Sequence, residues 1–239
     1  MASAAIAAPL ALLCAGAAQG LVEGLQGAFE ATGGRRLEAR FGAVGALREA
    51  LESGTACDVI VLTHAMVQTL VARGDLVAGS EAPLGRVRTG IAVRSADTTR
   101  VQVDSAAALE TALRAADRIC FPDPVRSTAG IHFAGVLRRL GIADALAARL
   151  ATFANGAAAM RALAVSTDLR PIGCTQISEI LSTPGVRLVG PLPTEFELAT
   201  VYTAAVASGA RDPAAAADLV ARLGGTASAE ARRVAGFES

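Results

Sequence analysis

The sequence predicts an α/β protein of two lobes, with a ligand cleft between them and a two-stranded hinge joining them. Short β-rich runs alternate with longer helical patterns, several of the predicted helices end at glycine, and a second α/β unit interrupts the first near the middle of the chain. With 239 residues, of which 52% are hydrophobic, the chain has enough apolar side chains for two modest cores.

Three strand and helix pairs predict the first lobe. Strands are expected at Leu10–Ala15, Arg36–Phe41 and Cys57–Thr63, and helices at Gly20–Thr32, Gly45–Ser53 and Ala65–Arg73. The strand CDVIVLT is apolar along most of its length, which is typical of a strand buried on both faces of a parallel sheet. Gly33-Gly34, Gly54 and Gly74 end the helices, and the βαβαβα order favours right-handed crossovers.

A change of pattern after Pro83 predicts the second lobe. Strands are expected at Gly85–Arg94, Arg118–Asp123 and the start of Pro171–Ile180, and helices at Ser105–Ala115, Gly130–Leu140, Ile142–Leu150 and Gly156–Ala164. Strands at Val186–Pro193 and Phe196–Ala207 and helices at Pro213–Leu223 and Ala227–Ala235 follow. The crossings near Arg88–Ala92 and Glu195–Val201 predict one lobe of residues 1–87 and 195–239 and another of residues 88–194.

Charge and motifs exclude several classes of function. The 22 acidic and 22 basic residues balance, so the basic excess of a nucleic-acid-binding protein is absent and no nucleic-acid partner is expected. The sequence has no dinucleotide fingerprint, phosphate-binding loop or Gly-x-Ser-x-Gly motif, and only two histidines. We therefore predict no cofactor and no metal site.

The cysteines and the apolar N-terminus bear on the compartment. Cys14, Cys57, Cys120 and Cys174 lie in or beside apolar runs without metal-type spacing, which favours buried free thiols over a disulfide. The stretch MASAAIAAPLALLCAGAAQG lacks the basic start of a signal peptide and favours a first strand. The protein is expected in the cytoplasm, or in the periplasm if a leader has been removed, and no later apolar run is long enough to predict a membrane span.

The stretch DPVRSTAGIHFAGVLRRLG, from Asp123 to Gly141, is a candidate anion site. Arg126, Ser127 and Thr128 stand just before a predicted helix, whose first N–H groups lack partners within the helix and carry partial positive charge. Arginine binds a carboxylate through two parallel hydrogen bonds. The alternative is an ordinary Ser or Thr N-cap beside a solvated arginine.

Both histidines and one acid are further candidates. Thr63 and His64 end the buried strand CDVIVLT, at the edge where open α/β sheets bind ligands, although His64 could equally cap the next helix. His132 lies one turn into the helix after the candidate anion site, where it faces either the cleft or the sheet. Glu179 is expected at the surface or as a partner at a helix end.

The order of these motifs resembles the type II periplasmic binding protein fold, and specifically its molybdate-binding-protein-like branch. The matching stretches are CAGAAQGLVEGLQGAFEATGG, FGAVGALREALESGTACDVIVLT, DPVRSTAGIHFAGVLRRLGI, IGCTQISEIL and GVRLVGPLP, which together cover nearly the whole chain. The resemblance implies an anion held between two lobes by hydroxyl and N–H groups. With Thr63 from the sheet edge, the ligand-binding candidates are Ala18, Gln19, Val44, Gly45, Thr63, Arg126, Ser127, Thr128, Thr175 and Gln176.

Two loops depart from the molybdate pattern. Molybdate-binding members of this branch usually carry serine in the first loop, within Ala-Ser-Leu, and in the second, within Gly-Ala-Ser-Gly, whereas this chain has Ala18-Gln19 and Val44. A desolvated tetrahedral oxyanion needs hydrogen bonds to nearly every oxygen. The missing hydroxyls therefore favour an organic carboxylate over molybdate.

Two classes of function fit these residues. The first is a solute-binding protein that closes on a small anion and delivers it to a membrane permease of an ABC transporter. The second is a cofactor-independent, aconitate isomerase-like enzyme that moves a proton along an unsaturated polycarboxylate, with His64 or His132 as the base. A ligand-binding regulator is a third alternative, for which no helix-turn-helix is visible.

Overall fold

The computed structural model of the protein describes residues 8–33, 35–98 and 100–239. Residues 1–7 of the apolar N-terminus, where a leader was considered, and Gly34, expected at the first helix stop, lie outside the described residues. In the described ranges, no helix combines the length and the apolar character that crossing a membrane requires.

Strands and helices alternate along the described residues. The strands are β1 (Leu10–Ala15), β2 (Leu37–Gly42), β3 (Val59–Thr63), β4 (Ala82–Arg94), β5 (Arg118–Pro122), β6 (Leu150–Phe153), β7 (Pro171–Gln176), β8 (Val186–Pro191) and β9 (Ala199–Val206). The α-helices are α1 (Gln19–Gly33), α2 (Val44–Glu52), α3 (His64–Ala72), α4 (Ala106–Ala115), α5 (Thr128–Arg139), α6 (Ala143–Leu146), α7 (Gly156–Ala164), α8 (Ile177–Leu181), α9 (Pro213–Gly224) and α10 (Ala229–Val234).

The strands form one continuous hydrogen-bonded sheet with two halves. The order is β2-β1-β3-β9-β4-β7-β5-β6, and β8 also pairs with β4. Strands β1, β2 and β3 are parallel, as are β5, β6 and β7, whereas β9 and β4 run antiparallel to their neighbours. Within each parallel set, the loops that follow the strands lie together at the carboxyl ends of those strands, the place where open α/β sheets bind ligands.

Strand β4 carries the chain from one lobe to the other. Its first part, from Ala82 to Arg88, pairs with β9, while Thr89–Ala92 pairs with β7 and Gly90–Arg94 with β8. The N–H of Thr89 donates to the Leu198 carbonyl at 3.0 Å, so the returning chain lies beside β4 at the crossing. The predicted two-lobed α/β class with a two-stranded hinge is confirmed, and the exact lobe boundaries stay a prediction.

Each lobe has its own core. One large cluster of buried side chains packs around β1, β3 and β9, and it includes Leu12, Ile60 and Ala205. A second cluster packs on β5 and β7, where the rings of Phe121 and Phe133 meet edge to face with centroids 5.3 Å apart. A third, smaller cluster joins β5 to α7. The first cluster also includes Ile177 of α8, so the second lobe packs against the first in this conformation.

The four cysteines are buried and unpaired, as expected for free thiols. Burial raises the pKa of every one of these thiols, that of Cys57 to about 12. The thiolate form is the one that acts as a nucleophile or a metal ligand. Since a raised pKa keeps these thiols protonated, the cysteines pack as small apolar side chains.

Two elements differ from the sequence prediction. Leu150–Phe153 is strand β6, which pairs in parallel with β5, although a helix was expected to continue to Leu150. The residues Thr194–Phe196 form a 3-10 turn, so β9 begins at Ala199 and not at Phe196. A four-residue strand is too short to show an alternating pattern, and its pairing with β5 decides its conformation.

Candidate anion site between the lobes

Loops from both lobes meet around a small cavity. The loop after β1 contributes Ala15, Gly16 and Ala17, and the loop after β2 contributes Gly42, Ala43 and Val44. The second lobe and β9 contribute Ser127, Thr128, Ala129, Asn155, Gly156, Gln176, Glu179 and Tyr202. The cavity has a volume of about 10 Å³, close to the minimum of roughly 10–15 Å³ that holds one water molecule.

Three helices of at least nine residues begin at this cavity. Helix α2 starts at Val44, α5 at Thr128 and α7 at Gly156. Ser127 caps α5 by accepting from the Gly130 N–H at 3.5 Å, and Asn155 caps α7 by accepting from the Ala158 N–H at 2.9 Å. The cavity wall is therefore rich in N–H donors and hydroxyl groups, the chemistry that suits an anion.

Glu179 places a carboxylate inside this wall. The side chain is only 5% exposed, and its Oε2 accepts from the Thr175 hydroxyl at 2.5 Å. The backbone N–H groups of Gly156, Ala157 and Gln176 also donate to the carboxylate. Burial raises the pKa of Glu179, and these hydrogen bonds offset only part of that effect.

Two glycines make room for the Glu179 carboxylate. A Cβ atom at Gly156 would overlap Oε2 of Glu179 and Oγ1 of Thr175, and a Cβ atom at Gly16 would overlap Oε1 of Glu179. Gly16 belongs to the first lobe and Gly156 to the second. The carboxylate therefore lies between the lobes, enclosed from both sides.

Gln176 links the cavity to the crossing strand. With its amide nitrogen facing the carbonyl groups of Val87 (3.1 Å) and Arg88 (3.2 Å), its oxygen accepts from the Tyr202 hydroxyl at 3.2 Å. Burial, followed by the nearby Glu179 charge, raises the pKa of Tyr202. Tyr202 therefore serves the site as a neutral hydroxyl at physiological pH.

Arg126 joins the two lobes at the rim of the cavity. Its Nε lies 3.3 Å from Oε2 of Glu49 on α2, and its side chain is 54% exposed. Its carbonyl accepts from the Gly45 N–H at 3.0 Å, which is a direct hydrogen bond between lobes. In this conformation the guanidinium faces Glu49, and its predicted role as a ligand anchor stays a prediction.

Several other candidates do not line the cavity. Ala18 is buried beside it, Gln19 donates to Glu23 at 2.8 Å along α1, and the half-buried Thr63 precedes α3. Nδ1 of the exposed His64 lies 3.2 Å from the Thr203 hydroxyl, while Nε2 of His132 lies 2.7 Å from the Phe196 carbonyl. Neither histidine is brought to the cavity, and their catalytic roles stay predictions.

Three parts of the site were not predicted from the sequence. They are the loop of Asn155 and Gly156, the side chain of Tyr202, and the buried position of Glu179. The expectation of a surface position for Glu179 is wrong, while its alternative, a partner at a helix end, is confirmed. Glu179 is the third residue of α8 and reaches back to the N–H of the N-cap residue Gln176. A glutamate three residues after the N-cap is half of a capping box, a spacing that can be recognised in the sequence. The contact of Glu179 with α7 cannot be recognised in this way.

A comparison against protein-family models agrees with the fold. The model described as "Bacterial extracellular solute-binding protein" matches residues 10–238. The chain belongs to this family. The match spans both lobes and all the loops that line the cavity.

Individual relatives are distant but nearly full in length. An aconitate isomerase from a Pseudomonas species is 24% identical over 236 residues, 96% of this chain and 87% of that protein. The periplasmic molybdate-binding protein of Azotobacter vinelandii has a TM-score of 0.79 at 18% identity, over 96% of this chain and 99% of that one. The sulfate-binding protein SubI from Mycobacterium tuberculosis H37Rv has a TM-score of 0.74 at 15% identity, over 97% and 86%. The fold is that of type II periplasmic binding proteins, in the branch similar to molybdate-binding proteins.

Proposed function

We propose that the protein is a periplasmic solute-binding protein that closes its lobes on a small organic carboxylate and delivers it to the permease of an ABC transporter. The observation that carries the proposal is the inter-lobe cavity, whose walls combine the first turns of α2 and α5 with the hydroxyls of Ser127 and Thr128, while the first N–H groups of α7 donate to Glu179 and Asn155. Such a wall binds an anion by hydrogen bonds and helix dipoles. Membership of an extracellular family supports the periplasmic location.

The composition of the wall favours a carboxylate over a tetrahedral oxyanion. On the first-lobe side, Ala17 and Val44 offer no hydroxyl, so side-chain donors come mainly from the second lobe. A planar carboxylate has two oxygens to satisfy, whereas a tetrahedral oxyanion presents four. The names of the molybdate- and sulfate-binding neighbours describe those proteins, and at 18% and 15% identity they support a common fold.

Ligand entry requires the lobes to separate. A cavity of about 10 Å³ is far smaller than a di- or tricarboxylate. The contacts that must open include the Gly45 to Arg126 hydrogen bond and the Arg126 to Glu49 ion pair. Closure around a ligand by hinge motion is the usual behaviour of two-lobed binding proteins.

A ligand screen tests the proposal. Purified protein is heated with di- and tricarboxylates, including trans-aconitate, and with molybdate, tungstate and sulfate. A ligand that binds only the folded state raises the unfolding midpoint, so we expect the carboxylates to raise it and the oxyanions to leave it unchanged. A rise caused by molybdate or tungstate alone would show that the interpretation of Val44 is wrong.

An isomerase acting on an unsaturated polycarboxylate is the second candidate. It is favoured by the aconitate isomerase relative, which aligns over 96% of this chain, and by the buried Glu179 carboxylate in the cavity wall. Because neither His64 nor His132 lines the cavity, the proton-transfer group on this hypothesis is Glu179. NMR of trans-aconitate incubated with the protein in D₂O decides: a deuterated cis isomer supports the enzyme, and an unchanged spectrum supports binding alone.

A further inference from the structure

We propose that Glu179 couples ligand binding to proton uptake, so that a bound carboxylate shares one proton, taken from solvent, with the Glu179 carboxyl group. This inference rests on the proposed function, because it specifies how the same cavity accepts its anion. On this inference, Glu179 determines ligand specificity. The affinity for the ligand then depends on pH, which binding by the helix N-termini alone would not produce.

The Glu179 carboxyl group is a fixed part of the cavity. Gly16 and Gly156 enclose it, Thr175 donates to it at 2.5 Å, and three backbone N–H groups hold it. The main chain is held as well, since the Thr183 hydroxyl donates to the Glu179 carbonyl at 2.7 Å. A ligand that fills the space between the lobes therefore lies next to this carboxyl group.

No cation in the described part of the chain forms an ion pair with Glu179. The titratable groups near it are Tyr202 on β9, whose pKa is raised by burial and then by the Glu179 charge, and Cys14 on β1, which interacts with Tyr202 and with Glu23 of α1. The turn Gly16–Ala18 and the first turn of α7 carry no titratable side chain, and β7 carries only the buried Cys174. On β4 and β8, which also pack on α8, Arg88 pairs with Glu238 and Arg187 donates to the Asp97 carbonyl.

Two adjacent carboxylates in such a place cannot both stay ionised without a large electrostatic cost. Like charges in a desolvated site raise the pKa of one partner, and a pair of carboxyl groups then shares a proton. Burial already raises the pKa of Glu179 before a ligand arrives. A ligand carboxylate is basic enough to share the proton, whereas the oxygens of sulfate are much weaker bases, so the same residue disfavours sulfate.

Isothermal titration calorimetry with trans-aconitate as the probe tests the inference. Titrations at one pH in two buffers of different ionisation enthalpy give the number of protons taken up per ligand. With such pairs of titrations repeated at several pH values, we expect net proton uptake by the native protein, rising towards one proton per ligand as the pH rises above the pKa of Glu179 in the free protein, with affinity weakening by up to about tenfold per pH unit over that range. Glu179→Gln should bind with no proton uptake and a flat pH profile, and Glu110→Gln, which changes a partly exposed acid paired with Arg114, should behave like the native protein.

The outcomes separate this inference from the function on which it rests. Tight binding of trans-aconitate by the native protein with no proton uptake overturns the inference and leaves the carboxylate-binding function standing. An absence of binding by trans-aconitate and by the other carboxylates of the screen overturns both. The native protein decides these two cases alone, so the result does not depend on the folding of Glu179→Gln. Sulfate that binds as tightly as trans-aconitate also overturns the specificity.

Discussion

Glu179 is a buried acid whose protonation should be visible in the stability of the protein. Burial raises its pKa above the ordinary value of 4.5, so the native state keeps a proton that the unfolded chain releases. Its contribution is therefore complete below about pH 4.5 and is lost as the pH rises through the native pKa.

Glu179→Gln removes this titration. We predict that the free energy of unfolding of the native protein falls relative to that of Glu179→Gln as the pH rises from 4.5, because Gln cannot ionise. Urea unfolding of both proteins at several pH values measures the difference, in which the other acids cancel. A difference that is independent of pH would show that Glu179 titrates alike in the folded and unfolded states.

We expect glycine to be required at position 156 because a larger side chain would not fit there, and not because of its backbone conformation. A methyl group there meets Glu179 and Thr175, whereas Gly24 in α1 has no atom within 4 Å of a built Cβ. We predict that Gly156→Ala destabilises by about 1–3 kcal/mol through overpacking. Gly24→Ala, which restricts the unfolded chain equally, should stabilise by about 0.5–1 kcal/mol. Equal unfolding midpoints for the two variants would contradict the packing argument.

At the scale of elements, the sequence is most informative where a strand is apolar and its helix has a marked end. Helix α3 begins and ends within one residue of its expected bounds, and β3 ends at the expected Thr63 but begins later than expected. This agreement arises because CDVIVLT is apolar and buried and because Gly74 follows the end of the helix. Strand β6 could not be predicted in this way, because four residues carry little pattern and their pairing comes from β5, some thirty residues earlier in the chain. For the same reason, the sequence did not predict that Asn155 and Gly156, which follow β6, belong to the site.

Contacts between distant elements could not be predicted from the sequence either, and those of Asp58 are an example. Only 1% exposed, it accepts from the Ala11 N–H at 2.7 Å on β1, and from the Arg211 N–H at 2.7 Å and guanidinium at 2.8 Å after β9. Burial alone would raise its pKa, but these hydrogen bonds and the arginine charge lower it. Asp58 therefore ties three segments of the first lobe together as a carboxylate.

Asp58→Asn should weaken this tie. We predict a loss of about 2 kcal/mol in the free energy of unfolding at pH 7, since hydrogen bonds to charged groups are among the stronger ones. The exposed Asp218, which pairs with Arg222 one turn along α9, is the control, and Asp218→Asn should cost less than about 0.5 kcal/mol. Because the Asp58 pKa is lowered, its advantage is present above its ordinary value of 3.8 and should shrink as the pH falls further. Equal losses in urea unfolding would refute this.

Across the whole molecule, the two lobes contact each other both around the Glu179 carboxyl group and at the rim of the cavity. Two chain crossings join the lobes, and the described inter-lobe contacts at the rim are the Gly45 to Arg126 hydrogen bond and the Arg126 to Glu49 ion pair. Exposed ion pairs are worth about 0–1 kcal/mol. The rim contacts therefore contribute little to closure, and on the proposed function a ligand shifts the balance between open and closed states by its own contacts.

The role of Arg126 can be decided by comparison with Glu49. If Arg126 acts through its ion pair with Glu49, Arg126→Ala and Glu49→Gln each weaken the closed state, and we predict that each lowers carboxylate affinity by about two- to fivefold, the equivalent of an exposed ion pair. If Arg126 instead holds the ligand, Arg126→Ala alone should lower affinity by more than about tenfold. Calorimetry with the same carboxylate on both variants and on the double variant measures this. A double variant no weaker than either single one would identify the ion pair as the cause, because the two residues then act through one interaction.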